Sequence, residues 1–353
     1  MAVKEKGDIY AQLGRNRLRL AEAVALYTLI VLGLSAVLLR VAMGDEDIGP
    51  GFWFWLSLLW LMFLLYALLR YALGGYWTFR NLVVLPPGET DIRLSDALDA
   101  AALASGMRSR VRLFCIPNPD INAFSLSLPD GTFALFATSG IAEKLPARER
   151  VALMAHEIAH MMAGDAALYT VMLRLTGRRA TRKMVRGAGA GDHDPLRSAG
   201  ISTFLVALAM TSFLLLGIFR TGSDLGEELR GFYSVSGANF AAVLVLLLAL
   251  FAVSLPPLMH KLLQLLLDRR REFAADLQAS YLTRDPEAVY LAVRHASEDV
   301  RDVMILPACF DALLFHPVVD YTSYNPFATQ PTMGERMSRL SDSFPTCDFT
   351  HLS

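Results

Sequence analysis

Charge is scarce in this sequence: 19% of its 353 residues are Asp, Glu, Lys or Arg, against 54% that are hydrophobic. Soluble domains carry about a quarter charged residues, so the composition points to a membrane protein. An excess of positive charge is also missing. The formal net charge is -1 and the basic residues are not interleaved with aromatics, which excludes a phosphate-backbone footprint and, with it, a nucleic-acid partner. Cysteine is rare as well. Cys115, Cys309 and Cys347 are odd in number and have no close pairing, which reads as reduced thiols facing the cytosol and excludes a disulfide framework. No internal repeat is present.

Four apolar stretches without charge are there instead: about Ala23 to Leu39, Gly51 to Leu69, Ser198 to Phe219 and Phe240 to Leu258. A membrane-spanning helix needs roughly 20 residues, and Arg40 can snorkel at the end of the shorter first stretch. No small-x-small cleavage site follows that stretch and a second comes at once, so a hairpin is expected and a cleavable signal is not. Lys4, Lys6, Arg15, Arg17 and Arg19 precede the first stretch, and Asp45, Glu46 and Asp47 lie in the turn after it. Arg178, Arg179, Arg182, Lys183, Arg186 and Arg197 precede the third, and Lys261 and Arg269 to Arg271 follow the fourth. By the positive-inside rule both termini and both long polar blocks face the cytoplasm, in a multi-pass protein of the cell (inner) membrane. The expected division is residues 1–20 (cytoplasmic segment), 21–75 (hairpin), 76–197 (first polar block), 198–260 (hairpin) and 261–353 (second polar block).

The first polar block reads as mixed α and β. Ser95-Asp96 caps a helix running through Leu103, and strands are expected over Val111 to Ile116, Ala123 to Leu128 and Phe133 to Ala137, with a turn at Pro129-Asp130-Gly131. Pro146 opens a helix through about Leu175, and Arg178 to Arg197 reads as a flexible linker.

That last helix carries His156-Glu157-Ile158-Ala159-His160. Two histidines four apart project from one helical face and can hold one ion at Zn–N distances of about 2.0 to 2.1 Å. Glu157, on the adjacent flank, is placed as a general base. The flanking residues 151–155 and 158–162 are almost all apolar, and a buried imidazole pair without a partner is costly. A catalytic zinc usually takes three protein ligands. Asp268, Glu272 and Asp276 share a helical face beyond the fourth stretch. Spacing alone leaves two readings there: a solvated acidic face softened by Arg269 to Arg271, or Glu272 as third ligand with Asp276 orienting a ligating histidine. For Asp268 the solvated reading is preferred. His193, His260, His295 and His351 lack partner spacing, and His316-Pro317 reads as structural.

The arrangement of His156-Glu-Ile-Ala-His160 and Arg271-Glu-Phe-Ala-Ala-Asp276 resembles the HtpX-type membrane metalloproteases, within the gluzincin group that also holds the CAAX-prenyl endoproteases. The resemblance extends to the amino-terminal hairpin, Asn122-Ala-Phe124, Gly164-Asp165, the two spans between the ligand helices, and Pro331-x-x-x-Glu335-Arg336. It implies an α+β fold, with four transmembrane helices in two hairpins and a mainly helical, zincin-like cytoplasmic protease domain carrying a small β-sheet. It further implies one Zn2+ per subunit held by His156, His160 and Glu272, Glu157 as catalytic acid/base, and polypeptide substrates, membrane or misfolded proteins at the cytoplasmic surface. Gln330 stands where that family has histidine; glutamine donates a neutral N–H but carries no charge. Arg336, with Gln330, is expected to stabilise the oxyanion, and a strand such as Phe133 to Ser139 to hold the substrate by edge pairing. The rival readings are a CAAX-prenyl-type endoprotease and a non-catalytic zinc-binding membrane scaffold.

Overall fold

The computed structural model describes residues 50–79, 89–176, 184–185, 269–299, 303–304, 313–317 and 330–347, with positions 310, 349 and a scatter of helical positions between 18 and 40. The expected spans at 198–219 and 240–258 lie outside the described residues, as does most of the expected linker. The chain divides into two units, one of Met1–Ala21, Gly74–Asp192 and Leu263–Ser353, the other of Glu22–Leu73 and His193–Leu262.

The second unit holds most of helix α1 (Pro50–Phe79). Within it, Leu56–Leu73 is long and apolar enough to cross a membrane, and 12% of that window is buried. Trp53, Phe54, Leu65, Leu68 and Leu69 each expose more than half of their surface. Val24–Val37 forms a shorter apolar helix at the place of the first expected span.

The first unit is mainly helical with a small sheet. Its elements are α2 (Glu89–Ser105), β1 (Val111–Ile116), β2 (Ala123–Ser127), β3 (Phe133–Thr138), α3 (Ser139–Lys144), α4 (Ala147–Ala163), α5 (Asp165–Thr176), β4 (Met184–Val185), α6 (Arg270–Thr283), α7 (Pro286–Glu298), β5 (Val303–Met304) and α8 (Met333–Ser343). Helix α2 starts ahead of the expected cap. Leu94, Ala97, Leu98 and Ala101 are all buried, a stripe with helical period that begins before Ser95 and leaves Ser95-Asp96 on the exposed face.

The strand order is β1-β3-β2, with β3 parallel to β1 and antiparallel to β2. Phe114, Phe136 and Phe124 stack across the three strands at centroid distances of 5.0 and 4.8 Å. In the β2–β3 turn Gly131 takes φ 78°, which glycine adopts without strain, and the Asp130 carboxylate accepts the Thr132 N–H at 3.0 Å. The expectation that Phe133 to Ser139 pairs with substrate is corrected by this order: β3 is central, and both of its edges are taken. The short pair β4–β5 places ladder structure at 184–185, inside the expected linker.

The edge strand β2 packs on α4. Thr138 N–H donates to the Asn122 carbonyl and Leu128 N–H to the Thr132 carbonyl, so the even residues of β2 bond to β3 and the odd ones face outward. Two of those three are occupied: the Ala123 carbonyl accepts from Phe315 N–H at 2.9 Å, and Ser127 N–H donates to the Thr170 hydroxyl at 2.8 Å. Ser125 lies between them, and its outward main-chain groups are unpaired among the described residues.

Helix α4 is buried nearly all round, which is the pattern of a core helix; Ala152, Leu153, Met154, Ala155, Ile158 and Ala159 are each at most 1% exposed. The continuous helix expected from Pro146 to Leu175 is broken at Gly164. Its φ is 81°, and its N–H reaches back to the His160 and Met161 carbonyls, a left-handed cap that ends α4 and lets Asp165 open α5 in a new direction.

Candidate metal centre

Helices α4 and α6 pack directly against each other, and their contact brings together one face of each. From α4 come His156 and His160, one turn apart; from α6 comes Glu272 in its first turn. His156 Nε2 and His160 Nε2 are 3.1 Å apart, and each lies 3.5 Å from Glu272 Oε2. Ligands of a tetrahedral ion at about 2.0–2.1 Å sit roughly 3.3–3.4 Å from one another. The observed triangle fits that geometry.

The outer ring nitrogens fix the tautomers. His156 Nδ1 lies 2.8 Å from Asp276 Oδ1, and His160 Nδ1 lies 2.8 Å from Asp165 Oδ2. An ionised carboxylate only accepts, so each Nδ1 carries the hydrogen and, in the neutral imidazole, each Nε2 presents a lone pair. Two lone pairs 3.1 Å apart repel unless a cation lies between them. The charges lead to the same demand. Glu157, Asp165, Glu272 and Asp276 are four buried carboxyl groups set among two buried guanidiniums, Arg271 and Arg336, so acidic groups outnumber the guanidiniums around the two imidazoles. Burial disfavours protonated His160, yet Glu272 and Asp165 raise its pKa to about 10. Burial would also raise Glu272, but His160, His156 and Arg271 hold it well below the usual carboxylate range. Among the described residues His156, His160 and Glu272 are the one group of this kind suited to a metal ion, and a divalent cation satisfies both the lone pairs and the charge.

Glu157 is 1% exposed. Its carboxyl is pushed up by burial against the pull of His160 and His156, and its Oε1 accepts no hydrogen bond among the described residues. The Ser125 hydroxyl of β2 lies 3.5 Å from the Glu157 carbonyl oxygen, so the middle of the edge strand runs alongside the turn of α4 that carries Glu157.

Arg336 and Gln330, the two residues expected as oxyanion donors, are both buried. Arg336, 1% exposed, donates from Nε and Nη2 to the two oxygens of Asp276 at 2.7 and 2.6 Å, and from Nη1 to the Phe315 carbonyl at 2.6 Å. Its guanidinium carbon stands 4.5 Å from the centre of the Phe315 ring. A planar fork already engaged on these sides holds Asp276 and through it His156. Gln330, buried, donates its amide N–H to the Leu314 carbonyl at 2.9 Å and ties the approach to α8 to the 313–317 segment. Asp268 lies outside the described residues.

Three further side chains belong to this centre. Asp165 is legible in the sequence, because a Gly-Asp step after a histidine helix reads as a cap followed by a new helix start. Arg271 stands in the Arg271-Glu-Phe-Ala-Ala-Asp276 run, where spacing assigns it no role beyond softening an acidic face, and Tyr169 has no signal at all. Of the other histidines, His193, His260 and His351 lie outside the described residues; His295 Nδ1 meets Glu149 Oε2 at 2.7 Å, and the His316 main chain is bracketed by the Asn122 side chain at 2.6 and 3.1 Å.

Residues 90–343 match the model of peptidase family M48. Several relatives bear the name Protease HtpX homolog. That of Acidiphilium cryptum is 30% identical over 253 residues, covering 70% of this chain and 72% of its own. That of Ligilactobacillus salivarius is 28% identical over 229 residues, covering 65% of this chain and 66% of its own, just under two thirds. That of Acaryochloris marina is 26% identical over 274 residues, 75% of this chain and 79% of its own. No solved structure gives a significant match.

Proposed function

This chain belongs to peptidase family M48 as an HtpX-type membrane metalloprotease, and we propose that it is a zinc-dependent endopeptidase whose ion is held by His156, His160 and Glu272. The observation that carries this reading is the triangle of Nε2, Nε2 and Oε2 with edges of 3.1 to 3.5 Å, beside the open carboxylate oxygen of Glu157. When bound, zinc supplies Lewis acidity and lowers the pKa of water to about 7.

Glu157 takes the proton from the attacking water and returns it to the departing amine, so that the peptide bond is broken with no net change in the carboxylate. Asp276 and Asp165 keep the imidazoles in the tautomer that presents Nε2. Arg336 acts through Asp276, and Gln330 by fixing the 313–317 segment, rather than at the oxyanion. The substrate runs extended along β2 and pairs with the Ser125 main chain, because the positions on either side are already bonded to Phe315 and Thr170.

Charge and hydropathy support a multi-pass topology. Four spans in two hairpins, near 23–39, 51–69, 198–219 and 240–258, would leave residues 1–20, 76–197 and 261–353 in the cytoplasm at the inner membrane, where the substrates are membrane or misfolded proteins under quality control. Position-by-position labelling of introduced cysteines tests the topology.

The test of the reaction is Glu157→Gln in the purified, zinc-loaded, full-length protein. Hydrolysis of casein should fall about 10²- to 10⁴-fold with zinc content unchanged. Retained cleavage would remove Glu157 from its role. Full zinc occupancy without turnover in the wild type would favour a structural site.

A further inference from the structure

Glu272 uses its two oxygens differently. Oε2 faces the two imidazoles at 3.5 Å, while Oε1 accepts from Arg271 Nε at 3.1 Å. Adjacent residues on a helix point about 100° apart and do not ordinarily meet, so Arg271 must curl back along α6 to make this bond. In that curl it lies against a ring: the guanidinium carbon stands 5.0 Å from the centre of the Tyr169 ring. Both side chains are buried, Arg271 at 5% and Tyr169 at 3% exposure. Tyr169 lies one turn beyond Asp165 on α5, hence on the same face. One face of α5 thus supports two of the three ligand-type residues: Asp165 meets His160 directly, and Tyr169 reaches Glu272 through Arg271.

We propose that Arg271, seated on Tyr169, is a positioning residue that makes Glu272 a one-oxygen ligand. A free carboxylate beside a divalent cation can turn to chelate it through both oxygens, which raises the coordination number and crowds the place water must take. The Nε–H of Arg271 occupies Oε1 and opposes that turn. Lysine cannot substitute, because it has no donor at the Nε branch and no plane to lie on the tyrosine ring. The inference rests on the proposed ligand set and adds the reason for its geometry.

The test uses the full-length protein and reads the metal directly. Zinc affinity is measured by competition with a chromophoric chelator, and the visible spectrum is recorded after Co(II) substitution, for wild type, Arg271→Gln, Arg271→Lys and Tyr169→Leu. Expected are about 10- to 100-fold weaker zinc binding in all three variants, as is usual when an outer partner of a ligand is lost. The Co(II) bands should weaken from a four-coordinate to a five-coordinate intensity, with circular dichroism unchanged. Wild-type affinity and spectrum in folded Arg271→Gln and Tyr169→Leu would overturn the proposal. Full recovery by Arg271→Lys would also overturn it, since charge alone would then suffice. A wild type that binds neither metal would instead overturn the ligand set itself. If Arg271→Gln fails to fold, Tyr169→Leu carries the same decision.

Discussion

Two regions of this chain run against the ordinary distribution of polar and apolar groups, in opposite senses. Around the α4–α6 contact six ionisable side chains, Glu157, Asp165, Arg271, Glu272, Asp276 and Arg336, are at most 5% exposed; along α1 the large apolar side chains Trp53, Phe54, Leu65, Leu68 and Leu69 are each more than half exposed. Buried charge and exposed hydrocarbon are both costly in water. Each inversion calls for a compensating partner, and on the proposed reading these are a cation in the first region and the hydrocarbon of a bilayer in the second. The comparison teaches that misplaced polarity is informative in proportion to its organisation. In the first region Asp165 and Asp276 face ring nitrogens of His160 and His156, and Arg336 and Arg271 face Asp276 and Glu272; in α1 no charge interrupts the apolar window except Arg70.

The largest expected effect comes from breaking the compensation in the first region. Arg336→Ala leaves Asp276 ionised without its fork, and removing one partner of a buried pair costs about 3–5 kcal/mol. The thermal midpoint should fall sharply, and zinc affinity with it. The double variant Arg336→Met with Asp276→Leu should recover most of the stability while zinc binding stays weak, because His156 loses its orienting acceptor. Equal recovery of both properties would mean that the pair serves packing alone.

Next in size is a charge placed in the second region. Leu65→Arg puts a guanidinium near the centre of the window Leu56–Leu73, at a cost of about 2.5–3.5 kcal/mol if that window lies in hydrocarbon. Insertion efficiency in a translocon assay should drop accordingly. An unchanged membrane fraction with a more soluble protein would break the comparison.

Chelation tests the cation in the first region without any mutation. Saturating zinc at about 100 times its Kd stabilises by roughly 2.7 kcal/mol, so removing it should lower the midpoint of unfolding. Asp165→Asn should weaken zinc binding about 10- to 100-fold with a smaller change in stability, since the asparagine oxygen can still accept from His160 Nδ1 but without charge. Identical zinc affinity in that variant would separate Asp165 from the centre.

These two regions also differ in how much of them could be read beforehand. The apolar stretch around α1 and the His156–His160 spacing are local patterns, so period and hydropathy sufficed. Glu272 was one of two open readings, because the choice depended on whether α6 would turn that face towards α4. The engagement of Arg336 with Asp276 spans 60 positions and could not be read from either segment. The central place of β3 was hidden for a similar reason: Phe133 to Thr138 is apolar enough to be an edge or a centre, and only pairing with β1 decides it. The break at Gly164 was legible in principle from Gly-Asp, but the apolar period continuing into α5 outweighed it.

The smallest effect is expected from an ion pair that resembles Arg336–Asp276 in chemistry alone. Arg148 Nη2 meets Asp285 at 2.8 Å and Glu287 at 3.3 Å, with half of the Arg148 side chain exposed. In water such a pair gains little, since solvent already stabilises both charges and two long side chains lose freedom; exposed pairs contribute about 0–1 kcal/mol. Arg148→Ala should therefore lower stability by less than about 1 kcal/mol, and that small loss should vanish in high salt. Asp285 has a second task, because its carboxylate accepts the Ala288 N–H at 2.9 Å and caps α7. Asp285→Ala should cost about 1 kcal/mol through the lost cap, largely independent of salt. A cost for Arg148→Ala approaching that of Arg336→Ala would mean that burial is not what distinguishes the two arginines, and the contrast between the metal centre and the surface would fail.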